Sequence, residues 1–131
     1  MSPGPETLVL AGSEVSAILR RGDELVLRLP AGRLWPSGDH IALTLTCHGL
    51  SHSDHDGGCV GTVSEGEVQL GAQRMTRLPL DTPLTGEAGL KLSGDLTLLL
   101  TFGNGSSCRI QARALQVAPV PGAQRHTWLT C

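Results

Sequence analysis

Residues 95–117, DLTLLLTFGNGSSCRIQARALQV, constrain the fold more than any other stretch of the chain. Leu96, Leu98, Leu100 and Phe102 fall on one side of one arm, and Cys108, Ile110, Ala112 and Ala114 on one side of the other. A period of two over this length predicts a half-buried strand pair joined by a tight turn. A two-residue Asn104-Gly105 turn would set each apolar residue of one arm opposite a polar residue of the other. A three-residue loop, Gly103-Asn104-Gly105, instead pairs Leu100 with Cys108, Leu98 with Ile110 and Leu96 with Ala112. It also puts glycine where such loops need a left-handed residue. The longer loop is therefore expected, with Asp95 opposite Arg113 on the wet face as a cross-strand charge pair.

The rest of the chain reads as further short strands. Thr7 to Leu10 is an apolar candidate. Residues 13–21 fit a helix capped by Ser13, or a strand in which Val15, Ala17 and Leu19 alternate; the strand is favoured. Its partner alternates cleanly, with Leu25, Leu27 and Leu29 inward, and Gly22-Asp23 supplies the turn. A break is expected at 30–38, with Trp35 capping an end of the core. Residues 40–48 form a strand with Ile41, Leu43, Leu45 and Cys47 on one face, and 49–58 a polar loop. Short strands at 59–63, 67–70 and 74–78 are separated by turns at Ser64-Glu65-Gly66 and Gly71-Ala72. Residues 79–86 connect onward, Leu90-Lys91-Leu92 leads into the hairpin, and 125–129 adds a last strand. Close spacing, glycine-rich turns and little helix signal predict an all-β fold. The expected architecture is a single-domain antiparallel β-sandwich or barrel of about nine short strands, spanning 1–131 with a flexible lead at 1–6.

A chain of 131 residues is the size of one domain and buries about two-thirds of its unfolded surface. The formal net charge of −2 supplies no steering field for nucleic acid or an anionic membrane. Trp35, Trp128 and Phe102 are the only aromatic residues, too few for base-stacking or sugar-gripping platforms. The opening MSPGPETLVLAGSE lacks the basic and apolar segments of a secretory signal. A cytoplasmic protein with reduced thiols is expected.

The conspicuous chemical cluster is CHGLSHSDHDGGC, residues 47–59. Imidazole and thiolate are preferred zinc ligands, although the spacing matches no established zinc module. Cys47 follows the inward phase of its strand and His48 the outward one. The candidate metal set is therefore His48, His52 and His55, with Asp54 or Asp56 as an oxygen ligand. Three imidazoles and a carboxylate suit zinc, nickel or copper. The same residues also suit a solvated loop, and no cofactor is the first expectation. Cys47 and Cys59 bracket the loop within disulfide reach if their strands pair. Cys108 reads as a small core residue and Cys131 as an exposed thiol. Neither Ser51, His52 and Ser53 nor the Asp54/Asp56 pair makes a convincing catalytic constellation, and none is expected to be catalytic.

The run LTLLLTFGNGSSCRIQARALQV, followed by Pro119, Pro121 and a tail carrying Trp128 and Cys131, resembles small uncharacterised bacterial proteins of high-GC genomes. The resemblance covers the last third of the chain and brings no ligand or catalytic residue. With the composition it implies a bacterial, non-catalytic β-sheet module acting through protein contact, with a small metal-binding protein as the alternative. Leu99, flanked by Thr97 and Thr101 and opposite Arg109, lies on the outer face, and a homodimer covering that stripe is expected.

Overall fold

The computed structural model describes residues 7–35, 38, 40–55, 60–79 and 90–120. Ten strands follow in chain order: β1 (Thr7–Val15), β2 (Ala17–Arg21), β3 (Glu24–Trp35), β4 (His40–His48), β5 (His52–His55), β6 (Gly61–Leu70), β7 (Gln73–Met75), β8 (Arg77–Pro79), β9 (Leu90–Phe102) and β10 (Ser107–Pro119). Antiparallel neighbours run β3-β4-β10-β9-β6-β1, and β1 returns to β3, so six strands close a barrel. β2 extends β3, β5 extends along β10, β7 pairs with β6 and β8 with β1. The fold is an all-β barrel. Among the described residues no helix is long and apolar enough to cross a membrane.

The β9–β10 hairpin has the register that the apolar phase demands: Leu100 faces Cys108, Leu98 faces Ile110 and Leu96 faces Ala112. Phe102 N donates to Ser106 O at 2.8 Å and Gly105 N to Phe102 O at 3.0 Å, closing the three-residue loop. Gly105 sits at φ 90°, where a β-carbon is disfavoured, and Ser106 N is held by Asn104 Oδ1 at 2.9 Å. The expected Asp95–Arg113 pair is not formed in the ladder. After Leu96↔Ala112 the next pair is Ser93↔Ala114, so β9 carries one extra residue there. A bulge of this kind leaves residues of the longer strand without a direct partner.

Bulges also explain where strands run on through expected breaks. Pro30 does not end β3. Leu29 faces Leu43 and Gly32 faces Ile41, so Pro30 and Ala31 form a bulge, a place where proline is tolerated in a sheet. The expected turn at 64–66 lies inside β6. Val63 faces Phe102 and Glu65 faces Thr101, leaving Ser64 as the extra residue. The polar loop contains β5: Gln111 faces His52 and Cys108 faces His55, while Gly49–Ser51 steps the chain from β4 onto this second pairing. Residues 80–89, most of the expected connection, and the strand at 125–129 lie outside the described residues.

The expected strand at 13–21 is divided, residues 13–15 ending β1 and 17–21 forming β2, and β2 makes the expected hairpin with β3, Arg21 facing Glu24 across Gly22-Asp23. Its first arm has the other phase, however. Ile18 faces the inward Leu27 and packs against the core, whereas Leu19 is 38% exposed. The core is mostly leucine, with Phe102 as its aromatic residue among those described. Gly66 is needed for packing rather than turning. A β-carbon there would lie 2.7 Å from Leu10 Cβ and 3.0 Å from Leu100 Cδ2, so β6 approaches the core closely only without a side chain.

β1 carries the largest irregularity. Val9 faces Arg33, yet Glu14 faces Ala31, so the four residues between them span a single β3 residue. Fully buried Ser13 staples this bulge. Its Oγ donates to Val9 O at 2.7 Å and accepts from Arg33 N at 2.9 Å. One hydroxyl thus satisfies a carbonyl and an amide that the interrupted ladder would leave unpaired.

Candidate functional site: a cleft on the outer face of the barrel

The barrel seam between β1 and β6 is short. Glu14 faces Thr62 and Val15 faces Gly61; beyond these pairs β1 goes on to β8 and β6 to β7. A cleft of about 740 Å³ opens where that ladder ends, with Leu10 of β1 still packed on Gly66 of β6, and runs over the outer faces of β6, β9, β10 and β5. This is within the size range of ligand-binding clefts.

Strand alternation builds its floor. One row across the sheet is Asp54, Arg109, Leu99 and Glu67; the next is Ser107, Thr101 and Glu65. Ala11 from the β1 bulge and Thr76 from the β7–β8 link line it as well. The Ser64 bulge sets the phase. Val63 and Val68 are both buried, although they are an odd number of positions apart. The extra residue allows this and turns Glu65 and Glu67 outward together. Ser64 Oγ donates to Thr101 O at 3.0 Å and fixes the irregularity. Leu99 is half-buried, held between Arg109 on one side and Glu67 on the other, and so is part of a mixed surface rather than a bare apolar stripe.

The cleft-lining groups are carboxylates (Asp54, Glu65, Glu67), a guanidinium (Arg109), hydroxyls (Ser64, Thr76, Thr101, Ser107) and the leucine floor. Asp54 and Arg109 stand opposite each other in register. Such a set can hold polar and charged groups by hydrogen bonds and ion pairs around an apolar contact. All come from strands except Thr76, so their positions are set by the ladder.

Of the proposed metal ligands, His48 sits on β4, half-buried, with Nδ1 3.1 Å from Glu24 Oε1. His52 and Asp54 are exposed on one face of β5, and Asp54 enters the cleft. His55 stands opposite Cys108 in register, in the phase alternate to His52; its side chain and Asp56 lie outside the described residues. Among the described residues no three His, Cys, Asp or Glu side chains gather closely enough to hold an ion. His52 and Ser53 are adjacent strand residues and face opposite sides. Ser51 Oγ is directed to Gln111 O at 3.4 Å.

Cys47 is buried, and burial pushes its thiol up from 9.0 to about 12, because a thiolate would lose its hydration. It is a core side chain rather than a nucleophile. Cys108 is buried too, beneath the cleft; Cys59 and Cys131 lie outside the described residues. Trp35 does not cap the core. It is 49% exposed, and the Arg77 guanidinium lies 4.8 Å from its ring centroid.

Sequence reasoning placed Leu99 beside Arg109 but missed Glu65, Glu67, Thr76 and Ala11. The available signal was the odd spacing of Val63 and Val68, which one continuous strand can bury together only through a bulge. Comparison of the chain with protein-family models, curated proteins and solved structures gave no match.

Proposed function

We propose that the protein is a non-catalytic interaction module of a bacterial cytoplasm, acting through protein contact at the outer-face cleft and using no cofactor. The observation that carries this reading is the cleft itself: about 740 Å³ of concave surface whose charged, hydroxyl and leucine groups are fixed mainly by strand register. Mixed polar groups around a small apolar floor suit a protein surface, and rigid strands reduce the ordering cost of binding. Neither nucleic acid nor a membrane is a partner in this reading, given the charge of −2 and the three aromatic residues of the chain.

A photo-crosslinking residue in place of Thr101, within the cleft, is compared with one in place of Arg28, exposed on β3 and outside it. In the producing cells, discrete protein adducts are expected from position 101 and not from position 28. Equal adduct patterns from both positions, or no adduct from position 101, would overturn the assignment.

A further inference from the structure

Among the described residues Trp35 is the most exposed large apolar side chain, and Arg77 lies against its ring. They lie on either side of β1, on β3 and β8, and the cation–π contact favours this arrangement of the two side chains before anything binds. Arg33 faces Val9, which in turn faces Arg77, so a second exposed guanidinium stands in the same row. Exposed, preorganised tryptophan and arginine are the side chains most enriched at the energetic centres of protein interfaces.

The charges of this knob and of the cleft are opposite. Arg33 and Arg77 give +2. Asp54, Glu65 and Glu67 against Arg109 give −3 + 1 = −2. The two surfaces also share a border: Thr76, in the cleft, precedes Arg77, and Ala11 lies two residues along β1 from Val9. Complementary patches side by side on one molecule permit a closed two-fold pair, in which each molecule places its knob in the other's cleft.

We infer that a second copy of this chain occupies the cleft, with Trp35 and Arg77 of one molecule seated over Leu99 beside Glu65 and Glu67 of the other. This rests on the reading of the cleft as a protein-contact site and names its occupant. The homodimer expected from Leu99 is thereby rebuilt. Leu99 forms the floor, and the contact joins two different patches rather than one stripe to itself.

Charge reversal in trans tests it. One variant carries Arg33→Glu and Arg77→Glu, the other Glu65→Lys and Glu67→Lys; all four side chains are outward, and circular dichroism checks that both variants fold. Light scattering at tens of micromolar, the range in which weak dimers populate, is expected to give twice 13.7 kDa for the unaltered protein. Each variant alone is expected to give the single mass, since like charges then meet. Their equimolar mixture is expected to restore the doubled mass, because the reversed knob fits the reversed cleft. A monomeric unaltered protein, variants that still dimerise, or folded variants that fail to associate would each overturn the inference. In those cases adducts at position 101 to a different protein leave the module reading standing, and the lack of any adduct removes both.

Discussion

Replacing Leu98 by Ala is expected to lower the unfolding free energy by about 2–5 kcal/mol, the usual cost of emptying a packed leucine site. Leu98 is 3% exposed and faces Ile110 on β10 and Val68 on β6, both buried. Its loss opens a void in the middle of the barrel wall, where neighbouring strands are tied by hydrogen bonds and collapse little. Urea unfolding measures the effect as a lower midpoint at unchanged slope. Thr97→Ala is the control. Thr97 is one position along the same strand, facing Gln69 and Gln111 on the outer side, so its replacement removes no core volume. Its cost is expected to stay below about 1 kcal/mol, within the span of strand propensities. Equal costs at positions 97 and 98 would mean that the inward phase has been misassigned.

The second large effect is alkaline. The Cys47 thiol has its pKa raised by burial from 9.0 to about 12 in the folded protein. Between these values the unfolded chain has released the proton and the folded chain still holds it. Unfolded molecules therefore bind fewer protons there, and stability falls as pH rises. The contribution is complete below pH 9 and is lost progressively as pH rises through the folded value. A separation of about three units corresponds to about 4 kcal/mol. Urea midpoints from pH 8 to 11.5 are expected to fall more steeply for the unaltered protein than for Cys47→Ala. That variant starts less stable, because the smaller side chain leaves a gap, but it has no thiol at this position to ionise. Parallel pH profiles would show that the thiol is not held in the core.

The all-β class and the hairpin register were legible in the sequence because Leu96, Leu98, Leu100, Cys108, Ile110 and Ala112 must share one face, and only one loop length lets them. The phase of residues 40–48 was legible for the same reason. Several misreadings lie at bulges. Pro30 and Gly66 carry turn chemistry, yet each sits inside a strand whose ladder absorbs an extra residue or a close approach. Local composition does not distinguish a chain that reverses from one that merely slips register. Leu19 was misread because a five-residue strand with both phases partly apolar has no decisive alternation, and its partner Leu27 selects Ile18 instead.

The cleft was legible only in fragments. Asp54 was noticed as a metal ligand and Leu99 as an exposed leucine, but what unites them with Glu65, Glu67, Thr101 and Arg109 is the order β5-β10-β9-β6. Outside the β9–β10 hairpin, neighbours across that sheet are separated by tens of residues in the chain, as with Asp54 and Arg109 or Glu67 and Leu99, and no spacing rule connects them. The histidine-rich cluster illustrates the converse. Proximity in sequence suggested convergence, whereas His52 and Asp54 stand on β5, His48 stands on β4 beside Glu24, and no three such side chains gather among the described residues.

The cleft depends most on the short seam that closes the barrel, whose ladder stops before it reaches Glu65 and Glu67. Cross-strand proton–proton contacts in a nuclear Overhauser spectrum test it directly. Backbone contacts are expected for Glu14 with Thr62 and Val15 with Gly61, and no continuing backbone ladder is expected between 9–11 and 65–67. Loss of the first contacts would mean an open sheet, and a ladder running on past Ala11 would mean that β1 covers the floor at Glu65 and Glu67; either result contradicts the cleft.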